Sequence, residues 1–207
     1  MSKKSLVTIN QAEAVRRMAN EKGVSRDAWQ GAMDNGDFSK FLDNLKSGTL
    51  GIVPPPGARI YVVRVRYSPK RDWQDAINAA GPNTPVSYNV WEVGDQYPSS
   101  DEEEIGKDII LLNYPSGNGG WDKANDWAKN VGLKRTCPRQ VFVVGERHPN
   151  LHKQLGCNPM YVVATEECLF VGRRDACCVW WRDSRRGADL SWIEDFDGSN
   201  GWFAFSK

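Results

Sequence analysis

The sequence predicts an α+β fold, in which a small N-terminal helical module precedes a mixed sheet that ends in an antiparallel meander. Three observations predict it. Glycine-stopped segments with helical apolar spacing fill residues 8–47. A triple proline follows at residues 54–56. From residue 59 onward, short apolar runs are punctuated by turn residues, first around helices and then strand after strand.

The first segment, "TINQAEAVRRMANEKG", opens at Thr8 as a cap and stops at Gly23, with Ala12, Val15 and Ala19 spaced for one face. Ser25 caps the second, "RDAWQGAMDNG", which stops at Asn35-Gly36. The third, "DFSKFLDNLKSG", places Phe38, Phe41, Leu42 and Leu45 at helical spacing and stops at Gly48. "GIVPPPGA" then reads as a linker, because consecutive prolines favour extended chain and forbid helix. The expected division is a helical module over 1–50, a proline linker over 51–57 and an α+β domain over 58–207.

"RIYVVRVRY" (59–67) alternates with period two and predicts a half-buried strand. Ser68-Pro69 is expected to open the helix "KRDWQDAINAA", closed by Gly81-Pro82. "SYNVWEV" (87–93) reads as a strand and 94–106 as a polar, acidic loop. "DIILLN" (108–113) suits a strand buried on both faces. "WDKANDWAKNVG" reads as a helix with Trp121, Ala124, Trp127, Ala128 and Val131 on one side, and "QVFVVG" (140–145) as a strand parallel to the one before it. "NLHKQLG" predicts a short helix. "MYVVAT", "CLFVG", "ACCVWWR", "ADLSWI" and "GWFAFSK" predict the meander.

Composition excludes several classes. Twenty-seven basic residues balance 26 acidic ones, so bulk charge does not mark a polybasic binder of nucleic acid or membrane. The charge is uneven, however: residues 134–187 hold 10 basic and 5 acidic groups, and residues 188–207 hold 1 and 4. No stretch reaches the roughly 18 apolar residues of a membrane span, and "MSKKSLVTINQAEAV" lacks the apolar core of a secretory signal. Five cysteines without framework spacing suit reduced thiols in the cytoplasm. Nine tryptophans make the chain tryptophan-rich, and most are expected in packing roles.

"VFVVGERHPNLHKQLG", "YVVATEECLF", "RRDACCVWW" and the ending "GWFAFSK" resemble a family of uncharacterised proteins from small-genome, metagenomically sampled bacteria. "KGVSRDAWQGAMDNGDFSKFLDNLKSG" is similar to a recurrent N-terminal module of that group, and "LLNYPSGNGGWDKANDWAKNVGLKRT" fits it as well. The resemblance implies a cytoplasmic bacterial protein. It carries over no catalytic residue.

Two places could hold a ligand. "CLFVGRRDACCVWWRDSRRG" (168–187) sets Arg173, Arg174, Arg185 and Arg186 at the two ends of one strand, with Trp180 and Arg182 on its outer face. Trp180 would be a stacking platform for single-stranded nucleic acid. The arginine pairs lie about 20 Å apart along the strand, so a single phosphate clamp is not expected, and a sandwiched sheet whose turns are charged for solubility is the simpler reading. Trp181, Val179 and Cys177 should form the core face; Cys177 and Cys178 point to opposite faces, so at most one of them is buried on the core side. The second place is "NYPSGNGGWDK", where Gly117, Gly119 and Gly120 let the chain approach an anion at a helix start beside Lys123. It matches neither a P-loop nor a dinucleotide fingerprint, and a plain glycine turn is the simpler reading.

Other constellations fall short. Cys137, His148, His152 and Cys157 lack knuckle spacing, and Pro149 breaks a helix that would carry both histidines, so no metal site is expected. Asp195, Asp197 and Ser199 alternate like calcium ligands without the closing glutamate. No motif calls for a cofactor. The leading expectation is a non-catalytic intracellular binding or protein-interaction module. The alternatives are a nucleic-acid binder using the Arg/Trp face and an enzyme holding an anionic ligand at the 115–121 turn. The partner is accordingly a protein or a nucleic acid, with no membrane.

Overall fold

The computed structural model describes residues 9–47, 52–196 and 199–207. The expected cap Thr8, the stop at Gly48, the linker's Gly51 and the candidate ligand Asp197 lie outside the described residues. The chain divides into two compact units, 1–50 and 51–207.

The first unit consists of α1 (Ile9–Glu21), α2 (Arg26–Asp34) and α3 (Asp37–Ser47). Ser25 caps α2 as expected: its hydroxyl accepts from the Ala28 N–H at 3.1 Å. Trp29 tilts onto Phe38 at 5.1 Å between ring centroids, and Phe38 stacks on Phe41 at 6.0 Å. None of α2 is buried. Met18, Met33, Phe41, Leu42 and Leu45 are exposed, as expected of a unit too small to close a core.

The second unit is α+β, with a mixed sheet between two layers of helix. Its elements are β1 (Arg59–Tyr67), α4 (Trp73–Ala80), α5 (Asn89–Glu92), β2 (Ile105–Asn113), α6 (Trp121–Asn130), β3 (Lys134–Arg135), α7 (Pro138–Arg147), α8 (Leu151–Gln154), β4 (Met160–Ala164), β5 (Cys168–Phe170), β6 (Arg173–Arg182), β7 (Arg185–Trp192) and β8 (Gly201–Ser206). The strands run β1-β2-β8-β4-β6, and β7 flanks the outer edge of β6. β4 and β5 pair with successive stretches of the inner edge of β6, as one strand broken near residues 165–167. Pairing is antiparallel except between β4 and β8.

Alternation along these strands sends side chains to two cores. One layer, α4 and α7, covers Val63, Val65, Ile109, Leu111, Val179 and Trp181. The other, α6, covers Ile110, Leu112, Val163, Cys178, Phe203 and Phe205. Cys177 and Cys178 face opposite ways, as expected, but both are buried, because each side of the sheet carries a core where one core side was expected.

Four local expectations are overturned. "QVFVVG" belongs to helix α7, not to a strand. Pro138 sits at its first position, the Cys137 N–H donates to Gln140 Oε1 at 3.0 Å in a capping-box arrangement, and burial extends from Pro138 to Gly145. A helix buried all round shows an unbroken apolar run, which periodicity does not separate from a buried strand. With that strand removed, the parallel pair linked by α6 disappears, and the parallel pairing is β4 with β8 instead. "SYNVWEV" holds the one-turn helix α5, whose Val90 and Val93 are buried at i, i+3 spacing. Asp72 rather than Ser68 caps α4, accepting from the Gln74 and Asp75 N–H groups. Finally, β8 does not close the meander; it inserts between β2 and β4 in mid-sheet.

The proline segment is bound to the second unit. The Trp127 indole N–H donates to Val53 O at 2.9 Å, and Ile52 and Ala58 pack on the α6 core.

Candidate functional site

The Arg/Trp stretch does not assemble one site. Arg173 Nε donates to Asp175 Oδ2 at 3.1 Å, and Arg174 Nη2 to Glu167 Oε2 at 2.6 Å. Arg186 Nε donates to Ala80 O at 2.7 Å, closing the last turn of α4, while its backbone N–H donates to Asn83 Oδ1. Arg182 faces Arg185 across the β6–β7 hairpin, and the Arg185 guanidinium lies 5.5 Å from the Trp180 ring centre. Trp180 is half-buried, whereas Trp181 is fully buried with its indole N–H directed to Pro149 O. Of the six residues, only Trp180, Arg182 and Arg185 share a face and a neighbourhood.

The glycine-rich turn is filled by its own chain. Gly117 has φ +70° and its N–H donates to Tyr114 O, closing the turn. A Cβ at Gly119 would collide with the Tyr114 ring. Lys123 Nζ donates to Asn118 O at 2.8 Å and stands 5.4 Å from the Tyr114 ring centre. Gly120 (φ +134°) precedes α6 without a side-chain cap.

The histidines are engaged separately. His148 Nε2 is 3.3 Å from Arg64 O, and His152 Nε2 is 3.0 Å from Asp183 O. Among the described residues no three His, Cys, Asp or Glu side chains converge on a metal position. Cys157 Sγ accepts from Arg59 Nη2 at 3.3 Å. Cys137, at the start of α7, is about 15 Å from the far end of that ten-residue helix where His148 lies, so they form no nucleophile–base pair.

The structure does bring together a set that the sequence reading missed. A cleft of about 430 Å³ opens over the first turn of α7. A buried threonine pair lies next in sequence to two of its lining residues, Cys137 and Glu166. Thr136 and Thr165 hydroxyls both donate to Ala204 O, at 2.8 and 2.7 Å, and the Glu166 N–H donates to Thr136 O. These bonds tie the chain before α7 to the break between β4 and β5, so Cys137 and Glu166 share the cleft. Lys107 from β2 and Lys134 and Arg135 from β3 supply positive charge, and Glu102 supplies negative charge. Tyr67, Tyr97, Pro98 and Ile105 supply apolar wall. Tyr97 is fixed by its hydroxyl, which donates to Glu166 O at 3.1 Å.

Burial governs the ionisation of this set. It pushes the Glu166 carboxyl up, against an opposing pull from Arg135. It raises the Cys137 thiol too, partly offset by the first-turn amides of α7, so the neutral thiol is favoured. The Tyr67 and Tyr97 phenols are likewise raised by burial first. Arg139, behind Cys137, is 6% exposed, and burial pulls its guanidinium down.

The signal that could have found this site is "TCPRQ". Proline one residue after a cap and glutamine three residues after it mark a helix start. No protein-family model, curated protein or solved structure matches this chain.

Proposed function

We propose that the protein is a binding module rather than an enzyme, and that it recognises a small molecule in the cleft over the first turn of α7. One observation carries this reading: charged and apolar side chains from β1, β2, β3, α7 and the 96–102 segment converge on one concavity within the usual ligand-site volume. The raised Cys137 thiol and the remote histidines supply no activated nucleophile there. The dispersal of Arg173, Arg174 and Arg186 onto internal partners weighs against the nucleic-acid reading. The filling of the glycine turn by Tyr114 weighs against a ligand at 115–121. Five cysteines without a disulfide suit a reducing compartment, and a bacterial cytoplasm, in keeping with the family resemblance, is the proposed setting.

The test is amide hydrogen exchange on the full chain, with and without a panel of nucleotides, organic acids, amino acids and sugars. A binding compound should protect amides near residues 96–107, 134–140 and 166. Protection confined to residues 115–121, or to β6 and β7, would overturn the assignment.

A further inference from the structure

We propose that the molecule bound in this cleft carries a carboxylate or phosphate group and that Arg139 is its counter-ion, an inference that rests on the cleft being the binding site. Arg139 is the only arginine among the described residues that is buried. Its Nε donates to Arg71 O at 3.0 Å and its Nη1 to Tyr97 O, and its guanidinium lies 5.2 Å from the Trp73 ring centre. These partners are carbonyl dipoles and a ring face. None carries a full negative charge.

Four more accessible arginines make the contrast, while Arg59 and Arg186 bond to neutral partners but are less buried than Arg139. Arg64, Arg71, Arg173 and Arg174 each meet a carboxylate within 3.1 Å, although each is far more exposed. Among the described residues Arg139 has no such pair, and its Nη2 has no hydrogen-bond partner. The Asp72 carboxylate attracts the guanidinium through space without a direct ion pair, and burial still outweighs it; a buried cation with no contacting anion is costly, and the cost falls when a ligand supplies the charge. The two carbonyl bonds hold the guanidinium plane in place. Its remaining donors are therefore preorganised for an oxyanion in the cleft that Arg139 lines.

The surroundings agree. Lys107, Lys134 and Arg135 stand at the same cleft, and the start of the ten-residue α7 favours negative charge. Glu102 and Glu166 oppose it, and burial already moves Glu166 toward its neutral form. Tyr67, Tyr97, Pro98 and Ile105 offer a wall for a small aromatic or aliphatic body. The ligand class is thus an oxyanion on a small apolar frame.

Calorimetry on the full chain with phenyl phosphate, benzoate and the neutral benzamide tests this. Both anions should bind at least tenfold tighter than benzamide, and the tighter of the two identifies the source as phosphate or carboxylate. Affinity should fall with salt. Arg139→Gln should weaken anion binding at least tenfold. Because Arg139 also holds two carbonyls, Lys134→Gln on the exposed β3 gives a second reading: a two- to threefold loss with the fold intact. Arg182→Gln should change nothing. Benzamide binding in the cleft as tightly as benzoate would remove the anion requirement and leave the cleft. Anion binding indifferent to both cleft substitutions would remove the cleft as well. Failure of both anions to bind at millimolar concentration would overturn the inference.

Discussion

Replacing Trp181 by alanine separates the two faces of β6. Trp181 is fully buried between the sheet and the α7 layer, and its indole N–H is directed to Pro149 O. A buried indole removes roughly 250 Å² from water, which at about 25 cal/mol/Å² is about 6 kcal/mol as an upper bound. Large-to-small core substitutions of this kind cost about 3–5 kcal/mol, because neighbours relax partly into the void. Trp180, its neighbour in sequence, points to the other face, is half-buried and rests under Arg185. Its loss should cost about 1–2 kcal/mol. Urea denaturation followed by far-ultraviolet circular dichroism reads both. With a slope of about 2 kcal/mol/M, Trp181→Ala should lower the midpoint by about 2 M and Trp180→Ala by less than about 1 M. Equal losses would refute the reasoning, since the outer face at Trp180 would then be core.

Three further outcomes are expected. Burial raises the Asp189 carboxyl, so the folded state holds its proton more tightly than the unfolded chain does. That penalty is absent at low pH and grows as pH rises above about 4 through the folded value, so Asp189→Asn should stabilise the protein at pH 7 and not at pH 3, by thermal melts at both. Trp127→Phe deletes the donor to Val53 O and should make residues 53–57 more open to limited proteolysis than in the parent, which should resist; unchanged cleavage would show that the tether is not what protects the segment. Gly119→Ala forces a methyl group against the Tyr114 ring and should destabilise the fold by about 1–3 kcal/mol, and unaltered stability would mean that this turn has room for more than its own chain.

The sheet was legible where one strand showed two different faces. β1 alternates Val63 and Val65 with Arg64 and Arg66, and that pattern alone assigns it. The split of β6 into Trp181 and Trp180 followed from the same period. α7 was not legible by pattern, since "VFVV" is buried on every side, and local capping by Cys137, Pro138 and Gln140 was the only helix signal. β8 was assigned as a strand, but its place between β2 and β4 depends on pairings with residues about 90 and 40 positions away. The cleft was hidden for the same reason. Tyr67, Lys107, Cys137 and Glu166 come from segments far apart in sequence and meet only when α7 docks on the sheet. The arginines of β6 and β7 attracted attention because they are close in sequence, yet Arg173, Arg174 and Arg186 are engaged by Asp175, Glu167 and the end of α4, which leaves only Arg182 and Arg185 beside Trp180.

A crystal structure of the full chain grown with phenyl phosphate would show whether the oxyanion sits on Arg139 in the cleft over α7. The phosphate oxygens should lie within hydrogen-bond distance of Arg139 and the phenyl ring against Tyr67, Tyr97 or Pro98. Phosphate at the 115–121 turn or beside Trp180 and Arg185, with the cleft over α7 empty, would contradict that placement.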